Sequence, residues 1–129
     1  MSLLLDTTVL IDALRGRAAA QRLLALRRSR EAPFVCAINV EEVTRGLRPE
    51  EEDRARSLLD GLRVAPLGRR EGELAGTWRR DFAVRGTTLS QADCLVAAAA
   101  VGVGAALVTG NPKDFPMPEV TVEHWPAGV

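Results

Sequence analysis

The segment ADCLVAAAAV, residues 92–101, constrains this chain more than any other. Its residues favour a helix, yet that helix is apolar nearly all the way round, so it must be buried rather than lie on a surface. The rest of the chain supplies elements to cover it. Short apolar runs at residues 2–5, FVCAI (34–38), RVAP (63–66), AALVT (105–109) and VTVE (120–123) read as strands, with helical segments between them. Strands alternating with helices imply a parallel sheet covered on both faces.

The helical segments are bounded by local chemistry. Residues 8–15 form a helix that stops at Gly16. A second, over about 18–30, carries Leu23, Leu24 and Leu26 inward and Arg27, Arg28 and Arg30 outward. Pro33 opens the second strand, and a third helix starts near Asn39. Pro49 suits the first turn of the next helix and Gly61 its C-terminal end. Residues 69–84 place Leu74, Ala75, Trp78 and Phe82 at helical spacing until Gly86 breaks the pattern, and Ser90 starts the buried helix. The chain has no repeats, linkers or low-complexity segments. At 129 residues it is expected to form one domain over 1–129, with a core mainly of Leu, Val and Ala because only 4% of residues are aromatic.

Composition excludes several function classes. Net charge is zero, with 17 basic and 17 acidic residues, which argues against nucleic-acid binding by bulk charge and leaves room for a local basic patch. All the basic residues except Lys113 are arginine, the residue suited to bidentate phosphate contacts. No apolar run approaches the roughly 20 residues that span a bilayer, and no signal peptide is expected. Cys36 and Cys94 both sit in apolar surroundings and are expected to be free thiols in a reducing, cytoplasmic setting.

Chemistry is expected at the carboxyl ends of the strands, where ligands bind in open parallel sheets. Asp6 stands where the first strand stops. Glu42, in AINVEEVTRG, lies one turn into the helix after the second strand. Asp93, in LSQADCLVAAAA, lies in the first turn of the buried helix. Asp114, in VTGNPKDF, lies just past AALVT. Each has a local explanation. Ser90 to Asp93 fits a capping box, and Asn39 to Glu42 is a looser version of it. Asp6 fits an N-cap, and Asn111, Pro112 and Asp114 are ordinary turn residues.

Taken together, the acids ask for more. Carboxylates gathered at a sheet rim repel one another, and burying them unpaired costs several kcal/mol. A divalent cation removes that penalty, and oxygen ligands select a hard ion, Mg²⁺ or Mn²⁺. His124, the sole histidine, lies after the last strand, so a Ser-His-Asp or Cys-His arrangement would need it to fold back on the rim. No zinc-ligand spacing, Walker motif or Gly-rich dinucleotide loop is present.

With LLLDTTVLID, INVEEVTRG, LSQADCLVAAAA and LVTGNPKDF in this order, the chain resembles the PIN-domain family, and specifically its VapC-like toxin ribonucleases. The resemblance implies a three-layer α/β/α sandwich with a central, mainly parallel sheet of about five strands. It implies a Mg²⁺- or Mn²⁺-dependent endoribonuclease with Asp6, Glu42, Asp93 and Asp114 as its acids, Asp6 and Asp93 being the metal ligands. Thr8, Thr109 and Asn111 take supporting polar positions, and Glu41 is expected in solvent. The implied reaction is metal-assisted hydrolysis of a phosphodiester. Glu42 or Asp114 orients or deprotonates water, or holds a second ion about 4 Å away. The family also implies an RNA substrate, a cognate antitoxin and a homodimer.

For RNA phosphates, Arg15, Arg45, Arg48, Arg79, Arg80 and Arg85 are candidates, with Arg45 favoured because its helix carries Glu42. Two rivals stand beside this expectation. One is a catalytically inactive PIN-fold interaction domain. The other is a receiver-like phosphoacceptor domain, which wants an acid pair after its first strand and an aspartate after its third. Here those strands end in Asp6-Thr7-Thr8 and Val64-Ala65-Pro66.

Overall fold

The computed structural model describes residues 1–28 and 31–128, the Arg28 side chain excepted. In chain order the elements are β1 (Leu3–Leu5), α1 (Thr7–Leu14), α2 (Ala18–Arg28), β2 (Phe34–Val35), α3 (Ala37–Arg45), α4 (Glu52–Asp60) and β3 (Arg63–Val64). There follow α5 (Arg69–Val84), α6 (Gln91–Gly102), β4 (Ala106–Thr109) and β5 (Val122–His124). Single 3₁₀ turns at Pro49–Glu51 and Pro112–Asp114 precede α4 and follow β4. Gly16 and Gly86, which end α1 and α5, have φ of 70° and 84°, a conformation that side-chain-bearing residues resist.

The five strands form one sheet in the order β3-β2-β1-β4-β5, and every pairing is parallel. Alternate residues along a strand face opposite sides, and the core divides accordingly. Leu4 and Leu107 pack with Ala75, Trp78 and Phe82 of α5 and the buried residues of α6. Leu5, Val35 and Val108 pack with Val9 and Leu10 of α1, Ala19 and Leu23 of α2, and Val43 of α3. The result is a three-layer α/β/α sandwich. Its α6 is as buried as its sequence demands: Ala97 to Ala100 are each at most 1% exposed, and their small side chains bring the helix down onto the sheet.

From β1 the chain winds outward through β2 and β3, then returns to place β4 on the other side of β1. That reversal falls at the carboxyl ends of β1 and β4, where open α/β sheets usually place their ligand crevice. The order also rules out the receiver-like alternative, whose flavodoxin-like sheet runs 2-1-3-4-5.

Several local expectations are corrected. The second and third strands are two residues each rather than five and four. FVCAI is cut short because Cys36 becomes the N-cap of α3: its N–H donates to Asn39 Oδ1 (2.9 Å), so the helix starts at Ala37 and Asn39 is its third residue, not its cap. Leu24 is 47% exposed instead of inward-facing. Residues 29 and 30, the expected end of α2, lie outside the described residues, as does the Arg28 side chain. His124 is not beyond the last strand but ends it, in register with Thr109. Cys36 and Cys94 are free and buried, as expected.

Candidate functional site

Asp6 occupies the N-cap position of α1, yet its side chain makes no capping hydrogen bond to the first turn. Its N–H continues the sheet ladder to the Val108 carbonyl (2.9 Å). Its carboxylate turns towards β4, where Oδ2 accepts the Thr109 hydroxyl at 2.8 Å. Thr109 Oγ1 in turn accepts the Asn111 N–H at 3.0 Å, so the loop after β4 is tied to the acid after β1. Asp6 thus stands where an N-cap stands, as expected, but its side chain is engaged with Thr109. Only 7% exposed, the carboxyl is pushed above its ordinary pKa, chiefly by burial. The charges of Asp93 and Glu42 push it further, against the Thr109 hydroxyl and the Thr7 amide.

Asp93 is half-buried in the first turn of α6. The Ser90 hydroxyl accepts its N–H (3.0 Å), the forward half of the expected capping box. Burial raises the Asp93 pKa, and the charges of Asp114 and Glu42 raise it further, with Ser90 opposing. Asp114 ends the 3₁₀ turn after β4 and is exposed. The four acids thus come from four separate segments into one field, Asp93 sensing both Glu42 and Asp114 and Asp6 sensing both Glu42 and Asp93. Among the described residues no group of three or more acidic, His or Cys side chains is placed to hold a metal ion by itself.

Glu42 is held more closely than the sequence suggests. Its Oε1 accepts the Thr7 hydroxyl at 2.6 Å. Thr7 Oγ1 accepts from Asn39 Nδ2 at 3.2 Å, and Asn39 is fully buried. Thr7 and Asn39 are the two residues that reading the sequence missed. The only signal was a pair of adjacent hydroxyls, and nothing in the sequence tells which faces the acid. Thr8 instead accepts the Gly110 N–H at 3.0 Å, steadying the loop that carries Asn111. Gly110 suits that approach, because a Cβ there would meet Ala127 at 3.2 Å and the Thr8 hydroxyl at 3.4 Å. Asn111 itself is exposed, as is Glu41.

The arginines separate into used and free. Arg15 pairs with Glu51 (3.4 Å), and Arg48 adds its charge beside the same carboxylate. Arg79 donates to the Leu89 carbonyl (3.2 Å), Arg80 lies 3.5 Å from Asp81, and Arg85 stacks over Phe82. Arg45 is exposed in the last turn of α3 and makes no ion pair among the described residues. An open, mainly apolar cavity of about 590 Å³ lies elsewhere, between α1, α2 and α4, with Leu23, Leu24 and Leu58 in its wall. None of the four acids lines it.

The PIN-domain profile matches residues 3–117 of this chain. Ribonuclease VapC10 of Mycobacterium tuberculosis is 31% identical over 119 residues, covering 89% of this chain and 86% of that protein. DNA-bound VapBC from Salmonella typhimurium matches with a TM-score of 0.83 at 23% identity, over 97% of this chain and 98% of that one, a likeness of fold. A toxin–antitoxin complex from Klebsiella pneumoniae matches with a TM-score of 0.73 at 28% identity, over 93% of this chain and 96% of that one.

Proposed function

This chain belongs to the PIN-domain family, and from that premise we propose that it is a Mg²⁺- or Mn²⁺-dependent endoribonuclease, the toxin of a toxin–antitoxin pair. The observation that carries the proposal is a buried carboxylate, Asp6, set at the switch point of the sheet with like charges around it. Among the described residues it has no cationic partner within ion-pair distance. The ribonuclease relative supports RNA as the substrate class, and the Klebsiella complex supports an antitoxin partner.

The donor set fits a hard cation: four carboxylates, with hydroxyls on Thr8 and Thr109. Mg²⁺ does not require a three-ligand protein group, because it keeps several waters and is held through one or two carboxylates together with substrate phosphate. Asp6 and Asp93 are the ligands we assign. When bound, such an ion neutralises charge on the scissile phosphate and makes water more acidic. Thr109 fixes the Asp6 carboxylate, Thr8 and Asn111 shape the loop over the crevice, and Glu42 or Asp114 orients the attacking water or accepts its proton. Arg45 meets an RNA phosphate. The acting unit is one domain over 1–129, cytoplasmic and homodimeric; no described helix is long and apolar enough to cross a membrane.

Purified protein incubated with cellular RNA tests this directly. We expect internal cleavage with Mg²⁺ or Mn²⁺, none with chelator, and suppression on co-expression with the neighbouring reading frame. Intact RNA under all conditions, from protein that still folds, favours the inactive interaction domain instead. Cleavage indifferent to chelator rejects the metal.

A further inference from the structure

With Glu42 as a carboxylate, the hydrogen bonds around it have one polarity. A backbone N–H only donates, so the Cys36 amide fixes Asn39 Oδ1 as an acceptor and thereby fixes which way the Asn39 amide faces. Its NH₂ group then meets Thr7 Oγ1. A threonine hydroxyl has one hydrogen. With its oxygen already receiving Asn39, that hydrogen goes to Glu42 Oε1, at 2.6 Å. The chain from backbone to carboxylate therefore ends on an oxygen that must accept. Oε2 of Glu42 has no hydrogen-bond partner among the described residues.

We infer that Thr7, oriented by the buried Asn39, is a positioning residue that holds Glu42 by Oε1 and leaves Oε2 as its working oxygen. This rests on the nuclease proposal and assigns Glu42 one task within it. Water is turned by Oε2, and a proton leaving that water lands on Oε2 while Oε1 keeps its bond to Thr7. The same construction recurs on Asp6, where the Asn111 amide occupies Thr109 Oγ1 and the Thr109 hydrogen goes to Oδ2. Each acid is thus gripped by one oxygen through a threonine whose polarity is set by an amide. Thr7 sits on α1 and Glu42 on α3, so the bond also fixes the spacing of two helices that bring acids to the crevice.

The test compares Thr7→Val with Thr7→Ser, because valine keeps the shape without the hydroxyl and serine keeps the hydroxyl. For Thr7→Val we expect kcat for RNA cleavage to fall about 10- to 100-fold, the scale of a misplaced catalytic group. KM should stay within about twofold, as expected when only the transition state loses an interaction. Thr7→Ser should recover most of kcat. A second readout needs no activity. In metal-free protein, NMR should show the Asn39 side-chain amide protons and the Glu42 carboxyl carbon shifting in Thr7→Val and returning towards wild type in Thr7→Ser. Wild-type kcat in Thr7→Val, or a serine variant as impaired as the valine one, overturns the inference. So do Asn39 and Glu42 resonances that ignore the substitution. If wild-type protein cleaves no RNA, the nuclease proposal fails, and the NMR arm still decides the relay.

Discussion

Asp6 stands just before α1 and Asp12 lies within it, and the two are about equally hidden, 7% and 5% exposed. Their surroundings are opposite. Asp12 Oδ1 accepts from Arg17 at 3.0 Å, and its Oδ2 accepts the Gly128 N–H at 2.8 Å, which staples the segment after β5 to α1. Asp6 has only neutral donors, the Thr109 hydroxyl and the Thr7 amide, and the repulsion of two other carboxylates. Burial alone does not mark a functional acid. What separates the two is compensation: Arg17 neutralises Asp12, and among the described residues no cation lies within ion-pair distance of Asp6. The same logic places Glu51 with Asp12, since that buried acid has Arg15 and the Arg48 amide.

Exchanging the two acids should give opposite phenotypes. Asp6→Asn is expected to lower RNA cleavage by about a thousandfold or more, the scale seen when a catalytic group is removed. Its metal-free melting temperature should equal or exceed wild type, because a repelled buried charge disappears. Asp12→Asn should keep cleavage within about threefold and lose about 1–3 kcal/mol of stability, a drop of several degrees in melting temperature. A fully stable but inactive Asp12→Asn, or an unfolded Asp6→Asn, would break the comparison.

Stability against pH sharpens it further. Asp6 and Asp93 have folded pKa values above the ordinary 3.8. The native state therefore holds their protons more tightly than the unfolded chain does. Their contribution favours folding when protonated and is lost as pH rises from about 3.8 through the raised folded values. In chelator, wild-type protein should lose more stability than Asp6→Asn as pH climbs from about 4 to about 8, a tenfold difference in proton affinity between the folded and unfolded chain being worth about 1.4 kcal/mol. Parallel curves for the two proteins would remove the uncompensated charge from Asp6.

The smallest effect concerns the cations. Arg17 is tied to Asp12, whereas Arg45 has no ion-pair partner among the described residues. Plots of RNA affinity against salt should flatten by about 0.7 for Arg45→Ala, one phosphate contact on a single strand, and stay unchanged for Arg17→Ala. Equal slopes for Arg45→Ala and wild type would remove Arg45 from the RNA contact.

Parts of this were legible in the sequence because burial writes itself into composition. The leucines of β1, the apolar run of β4 and the all-round apolar α6 were read correctly as interior, and α5 matched residues 69–84 because its apolar spacing and Gly86 agree. The second and third strands are shorter than their apolar runs suggest because they lie at or near the sheet edge, where apolar residues such as Cys36 serve the next helix or the core instead of the ladder. At the site, the positions of the acids followed from strand ends and helix starts. The division of labour between Thr7 and Thr8 did not, since neighbours on a helix diverge by about 100° and only tertiary contact decides which one meets Glu42. Asn39 departs from its expected place for a related reason: its cap-forming chemistry is used, but from the third helical position.

Calorimetric titration of metal-free protein with Mn²⁺ goes to the centre of the account. Wild-type protein should bind the ion, Asp12→Asn should bind it equally, and Asp6→Asn and Asp93→Asn should each lose most of the affinity. A wild-type protein that binds no Mn²⁺, or Asp6 and Asp93 variants that bind it as well as wild type does, would contradict the claim that these carboxylates are left uncompensated in order to hold a cation.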